Sequence, residues 1–389
     1  MSSSVRVVWD DELAAYDFGP GHPMAPLRVT LAIELARSLG LLALPNVEVT
    51  PSTPADDALL ELVHTADYLD AVRACGREYG RVDLPHGLGT DDNPTFHDMH
   101  GASARVVGAT VEAARAVWEG EAEHALSLAG GLHHAMPSAA SGFCVYNDLA
   151  VAIAWLLEHG ARRVAYVDVD VHHGDGVEYA FRDDPRVLTV SLHEAGPAFF
   201  PGTGVLEDVS ADGTVVNVPL PSGTDDAAWL RAFDAVVPQL LEAFAPDVLV
   251  TQQGCDTHRL DPLAHLALTV DGQRATYERL HRLAHAHAGG RWVATGGGGY
   301  AIVQVVPRAW THLLAEMAGA PLDPMTPTPE SWRSLVRERT GRDAPTSMTD
   351  GGAPPAPQPW AGAADPIDRL DQVLLAVRAV AYPPHGLVP

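Results

Sequence analysis

Asp168, Asp170 and His172 lie two residues apart in the run Asp168-Val169-Asp170-Val171-His172-His173-Gly174-Asp175-Gly176. In an extended chain that spacing puts all three side chains on one face. Two carboxylates and an imidazole suit a divalent metal. Zn²⁺ accepts both donor types, and Fe²⁺, Co²⁺ or Mn²⁺ are compatible with the same mixed set. An isolated Asp-x-Asp is more often a pair of helix caps or a solvated loop. Here it follows directly on an apolar, strand-like run, which makes it a metal candidate. A second group is Gly130-Gly131-Leu132-His133-His134. Adjacent histidines in a turn cannot easily serve one metal, but each can pair with its own carboxylate. Such a pair fixes the tautomer and raises basicity, as a general base requires. A third group is Gly296-Gly297-Gly298-Gly299-Tyr300. No Lys-Ser/Thr follows it, so it is not a Walker phosphate loop. The glycines allow close backbone approach, and the Tyr300 phenol can donate to a developing oxyanion. His281, His285 and His287 fall in a helical pattern and read as exposed or packing side chains.

The elements that must position these groups are legible as alternation. Val5–Trp9, Ala125–Ala129, Arg163–Val167, Val187–Leu192, Val215–Val218, Val248–Thr251 and Trp292–Thr295 are short apolar, β-branched runs. They read as strands buried on both faces. Between them the patterns predict helices over Arg28–Leu42, Gly101–Trp118, Asp148–His159, Asp226–Phe244, Arg274–Ala288 and Val306–Met317. This order predicts a mostly parallel sheet with helices on both faces. Ligands of such sheets bind beyond the carboxyl ends of the strands, which is where each chemical group above falls. Val248–Thr251 adds Gly254-Cys255-Asp256 to the same rim. The expected organisation is a catalytic domain over 1–320, a Pro/Gly-rich surface excursion over 321–365 with a short helix near Trp332–Glu338, and a C-terminal helix and tail over 366–389 that returns to the body.

Composition limits the function. The 389 residues carry 25 Lys+Arg against 50 Asp+Glu, a formal charge of −25. This argues against nucleic-acid binding through phosphates and favours cationic substrates or partners. All the basic residues are Arg, so the chain has no lysine side chain of its own to acetylate. Cys75, Cys144 and Cys255 are far apart and include no C-x-x-C pair, which fits a reducing cytoplasm better than a disulfide scaffold. No signal peptide and no apolar membrane-length run is apparent.

The motifs together resemble the zinc-dependent histone deacetylase family. The resemblance rests on Gly130–Ala135, Ser141-Gly142-Phe143-Cys144, Asp168–Gly176, Phe199-Phe200-Pro201-Gly202-Thr203-Gly204 and Gly296–Tyr300, and runs from about Gly21-His22-Pro23-Met24 to Leu314. The length and Val306-Pro307-Arg308-Ala309-Trp310 look most like its bacterial acetoin-utilisation branch. The resemblance implies an arginase-like α/β fold with one central sheet, and hydrolysis of N-acetyl-lysine to lysine and acetate. It implies Asp170, His172 and Asp256 as ligands of Zn²⁺ (with Fe²⁺ or Co²⁺ as alternatives), leaving Asp168 as partner of His133 and Asp175 as partner of His134. His134 would take the proton from a water activated by the metal, and Tyr300 would stabilise the oxyanion. Gly142, Phe143, Phe200 and Leu263 would line the acyl-lysine tunnel, Asp92 would hold the substrate backbone at the rim, and Arg28 would lie in an internal channel. A K⁺ ion would be held by Asp168, Ser191 and main-chain oxygens of Asp170, His172 and Leu192. A second K⁺ site would use the Phe181 and Val187 region. Two positions depart from the family pattern: Thr214 replaces a common aromatic at that second site, and Ala301 replaces the usual Asn or Asp after Tyr300. An acetylated acyl-CoA synthetase is the implied protein target. An acetylpolyamine amidohydrolase, a binuclear manganese ureohydrolase and a non-catalytic acyl-lysine binder are the competing expectations.

Overall fold

The computed structural model describes residues 3–78, 80–208, 210, 212–352 and 367–389. The strands are β1 (Val5–Val8), β2 (Val47–Thr50), β3 (His124–Ser127), β4 (Val164–Asp168), β5 (Val187–Glu194), β6 (Val215–Leu220), β7 (Val248–Gln252) and β8 (Trp292–Thr295). They form one sheet in the order β2-β1-β3-β8-β7-β4-β5-β6, with every neighbouring pair parallel. Apart from the half-exposed edge strand β2 and Pro219 in β6, strand residues are buried throughout. A sheet buried to that extent must be covered on both faces. The cover comes from α1 (Leu27–Ser38), α2 (Asp57–Leu60), α3 (Ala66–Arg77), α4 (Met99–Trp118), α5 (Asp148–Glu158), α6 (Asp175–Phe181), α7 (Asp226–Phe244), α8 (Val270–His287), α9 (Val306–Met317), α10 (Glu330–Thr340) and α11 (Arg369–Ala381). No helix among the described residues is long and apolar enough to cross a membrane. The three cysteines are free and buried.

Local chemistry explains where the elements begin. Asn147, Asp225, Thr269 and Asp368 lie one residue before α5, α7, α8 and α11. Each side chain accepts a hydrogen bond from a backbone N–H of the first turn, the usual role of an N-cap. The sequence patterns located seven of the eight strands. They missed β2, whose VEVT alternation is short and lies at the sheet edge, the short helices α2 and α6, and α3, whose apolar positions Tyr68, Leu69, Val72 and Cys75 follow a helical period.

Strand order is what builds the site. β3, β8, β7 and β4 are separated in sequence but contiguous in the sheet. Their carboxyl ends lead into His133-His134, Gly296–Tyr300, Asp256 and Asp170–His172 respectively. Four loops from distant parts of the chain thus open onto one rim.

The stretch expected to be a surface excursion is fastened to the body over its described part. Trp332 on α10 is only 1% exposed and packs with Val336, Met348, Leu31, Leu35 and Val303. Its indole N–H donates to the Leu31 carbonyl at 2.9 Å. Burying apolar side chains such as Val336 and Met348 contributes about 1.5–3 kcal/mol each. Asp350 then accepts from His258 at 2.7 Å and Arg308 at 2.8 Å, two residues beyond Asp256 and within α9. The proline- and glycine-rich run over 353–366 lies outside the described residues.

Candidate active site

Asp170, His172 and Asp256 are buried, and one ligand atom of each lies within 4.8 Å of the others. His172 Nδ1 stands 3.0 Å from Asp170 Oδ1 and 3.1 Å from Asp256 Oδ2. The carboxylates are oriented by other groups. Asp170 Oδ2 accepts from the Gln252 amide and the Gly298 N–H, both at 2.7 Å, and Asp256 Oδ1 accepts from the Val171 N–H at 2.9 Å. Asp256 Oδ2 is buried with no hydrogen-bond partner. A Cβ on Gly254 would collide with the Asp170 carboxylate, and one on Gly298 with Asp256 Oδ2. An orphaned carboxylate oxygen facing an imidazole nitrogen, in a pocket that glycines keep clear, fits a small dication. Burial opposes charge on His172, but the Asp170 and Asp256 carboxylates beside it raise it to about 10. A dication in the same place would compete with that proton.

The two histidines of the Gly-Gly-Leu-His-His turn each have a carboxylate. His133 Nδ1 lies 2.7 Å from Asp168 Oδ2, and His134 Nδ1 lies 2.6 Å from Asp175 Oδ1. Their protonation nevertheless diverges. Burial opposes charge on His133, yet the Asp168 and Asp170 carboxylates outweigh it and lift the ring to about 9. Burial and the neighbouring His133 cation push His134 down to about 4, despite Asp175. At neutral pH one ring is therefore a cation and the other a free base. Asp168 also accepts from the Tyr166 phenol. The face-sharing argument thus holds only in part: Asp168 serves a histidine while Asp170 and His172 converge on Asp256.

The turn itself is held from α5. Asp148 accepts from the Leu132 N–H at 2.8 Å, from Gly131 at 3.0 Å and from the Thr110 hydroxyl at 2.6 Å. Tyr300 approaches from the other side, its phenol pushed well above its ordinary pKa by burial. The loop departs from the family pattern at Ala301 but is still anchored. The Tyr300 N–H donates to Asp261 Oδ2 at 2.8 Å, and Arg28 donates to the carbonyls of Gly297 and Gly299. Arg28 also lines a small cavity of about 20 Å³ with Tyr16 and Met24.

A cleft of about 230 Å³ leads to this group and is lined by Asp92, His134, Gly142, Phe143, His172, Phe200, Leu263 and Tyr300. Phe200 is 39% exposed and meets His134 edge-on at 4.9 Å; Phe143 meets Tyr300 edge-on at 5.7 Å. Phe143 has φ +67°, a left-handed conformation costly for a bulky residue. Its carbonyl accepts from the Tyr16 phenol at 2.7 Å, which helps hold that geometry. A Cβ on Gly142 would run into the His134 ring and Phe200.

The comparisons with known proteins agree with this geometry. The histone deacetylase domain matches residues 22–317.

The chain belongs to the histone deacetylase family.

Within that family it sits on the branch of the acetoin utilization proteins. It is 39% identical to acetoin utilization protein AcuC of Bacillus subtilis (strain 168) over 88% of this chain and 89% of that protein. It is 37% identical to AcuC of Staphylococcus aureus (strain MSSA476), over 82% and 83%, and 34% identical to AcuC of Staphylococcus xylosus, over 90% and 91%. This deacetylase is therefore a metal-dependent hydrolase, with Asp170, His172 and Asp256 as the group that could hold the ion.

Several site residues escaped sequence reading. Tyr16, Asp148, Tyr166, Gln252 and Asp261 orient the groups above and carry no motif of their own. Phe199 stacks on His172 at 5.1 Å with an interplanar angle of 4°. His22 packs edge-on to Phe143 at 4.6 Å, and its Nε2 lies 3.2 Å from the Asp92 carbonyl. Of these, only Phe199 and His22 sat inside motifs that could have flagged them.

Proposed function

We propose that the chain is a zinc-dependent protein lysine deacetylase, converting N-acetyl-lysine to lysine and acetate. The observation that carries this reading is the single cleft between Phe143 and Phe200, with His134, His172 and Tyr300 in its lining. A cleft lined by these two rings suits an apolar methylene stem ending in a neutral amide, whereas a free lysine cation would be poorly solvated there. Asp170, His172 and Asp256 would hold the ion, with Zn²⁺ first and Fe²⁺ or Co²⁺ as alternatives. Bound there, the ion supplies Lewis acidity, polarising the amide carbonyl and acidifying water.

The chain's own groups do the rest. His134, a free base at neutral pH, takes a proton from water as its oxygen attacks the carbonyl carbon. Asp175 fixes the tautomer so that Nε2 faces the substrate. Tyr300 donates from its phenol to the developing oxyanion. His134 returns the proton to the nitrogen as the C–N bond breaks, so the amine leaves neutral. His133, held as a cation by Asp168, keeps His134 from accumulating charge before the reaction. At the mouth, exposed Asp92 accepts N–H groups of the substrate backbone, and Gly142 and Leu263 complete the wall. Arg28 props the glycine loop that ends in Tyr300. A K⁺ ion would be held by Asp168, Ser191 and the main-chain oxygens of Asp170, His172 and Leu192; the β4–β5 register, which pairs Asp168 with Ser191, supports this. An acetylated acyl-CoA synthetase is the protein target we propose, and the charge of −25 favours basic segments around the modified residue.

The test is acetate release from an acetyl-lysine peptide by protein loaded with zinc, iron or cobalt. Absence of turnover with all three would remove the enzymatic reading. A higher kcat/KM for acetylspermidine than for the peptide would move the substrate to small acylated amines.

A further inference from the structure

β3 has chemistry at both of its ends. Its carboxyl end leads to His133 and His134, while its first residue is His124. Helix α8 brings His281 and His285 over that residue. These two lie four apart, one above the other on the same helix face. One ring nitrogen from each of His124, His281 and His285 lies within 4.8 Å of the others. The ring centroids are 4.9 Å apart for His124–His281, 5.1 Å for His124–His285 and 4.9 Å for His281–His285. Of the helical histidines expected as exposed or packing side chains, His285 is exposed and His281 packs on Trp292, and the two also converge on a strand residue.

The hydrogen-bond inventory of the group does not close. His124 is 0% exposed, and neither of its ring nitrogens has a hydrogen-bond partner. The Glu123 and Gly290 carbonyls lie close enough to favour the charged ring, but neither meets hydrogen-bond geometry with it. A buried donor or acceptor left without a partner is costly. The His281 and His285 Nε2 atoms face each other at 3.1 Å. Sharing one proton would satisfy that pair but leave His124 unserved. A cation bound by one lone pair from each ring engages all three at once and leaves the second His124 nitrogen its N–H beside the Glu123 and Gly290 carbonyls. Two nitrogens on one tetrahedral zinc ion stand about 3.3 Å apart, given Zn–N bonds of about 2.0–2.1 Å, close to the His281–His285 separation.

We propose that His124, His281 and His285 form a second metal site, binding a divalent cation of the zinc class and tying β3 to α8 at the amino end of the sheet. Imidazole donors of this kind suit zinc, copper and nickel rather than magnesium or calcium. His285 is exposed, so the ion can enter from solvent, and Ser3 Oγ lies 3.2 Å from its Nε2 as a neighbouring oxygen. The site is remote from the reaction rim and acts through structure.

The experiment uses the untagged full chain, saturated with Zn²⁺, dialysed, and measured for metal per chain. Wild type is expected to hold two zinc ions. His281→Gln and His285→Gln should each hold one and keep deacetylase activity. Asp256→Asn should also hold one, but without activity. His281→Gln and His285→Gln chains that retain wild-type zinc, with unchanged circular dichroism, would overturn the proposal. X-ray absorption on zinc-loaded Asp256→Asn isolates the second site. A shell containing three imidazoles is expected, and a shell of oxygens alone would overturn it. Loss of zinc from His285→Gln but not from Asp256→Asn would support this site while removing the active-site assignment, so the two can fail separately.

Discussion

The two ends of the sheet hold metal-capable groups of opposite character. At the carboxyl end, Asp170, His172 and Asp256 are all buried, and backbone N–H groups of Val171 and Gly298 and the Gln252 amide aim their carboxylates. At the amino end, three imidazoles meet without a carboxylate among them, and His124 has no hydrogen-bond partner. The first group opens on a cleft with a base and a phenol in its lining; the second packs against Trp292, with His124 buried, His281 half-buried and His285 exposed. The difference separates two tasks. Chemistry needs ligands held by a further set of hydrogen bonds, so that an ion keeps a face toward the substrate. Holding two elements together needs only that the rings converge.

Breaking the comparison at the reactive end should have the largest effect. Asp256→Asn is expected to reduce acetate release to background, while His285→Gln leaves it unchanged; equal losses in both would erase the distinction. Tyr300→Phe should follow, with kcat lower by about 10²–10³-fold and zinc content unchanged. Gly142→Ala pushes a methyl toward His134 and Phe200; a displacement of roughly 1 Å there can cost on the order of 10²-fold in kcat/KM, measurable with the same peptide.

The smallest effect on turnover, and the sharpest on stability, belongs to Asp350. It clamps His258 and Arg308 from the segment after α10. Removing one partner of such a buried arrangement costs about 3 kcal/mol, so Asp350→Ala should unfold at clearly lower denaturant. Burial works against the Asp350 carboxylate, but His258 and Arg308 hold its pKa well below the ordinary 3.8. A depressed carboxyl gives stability that is complete above the unfolded value and is lost as pH falls toward the folded one. Wild type should therefore lose Tm steeply below about pH 4, and Asp350→Asn should show a shallower acid limb. Superimposable acid limbs would show that the clamp contributes nothing.

Much of the site was legible because its residues come in dense local patterns. Asp168–Asp175, Gly130–His134 and Gly296–Tyr300 each follow an apolar strand, and a parallel sheet delivers strand ends to one rim. The residues that orient them were not legible. Asp148 looks like an ordinary first-turn helix acid, yet it holds the Gly131–Leu132 turn. Tyr16 and Phe143 are 127 positions apart, and only folding brings that phenol to that carbonyl. The same holds for Trp332, whose segment looks like a Pro-rich excursion until the indole is seen against Leu31.

The order of apolar runs and turn chemistry in this chain, which are local properties, determined that it would build a parallel α/β sheet with acidic and imidazole groups at its strand ends. Only the tertiary structure decided which of those groups meet. Strand order made β3, β8, β7 and β4 neighbours, separated Asp168 from Asp170 in partner, and shifted the His133 and His134 pKa values in opposite directions although each has a carboxylate within 2.7 Å. The reason is that protonation and metal affinity depend on distance and burial summed over the whole neighbourhood, and neither is encoded within any one segment.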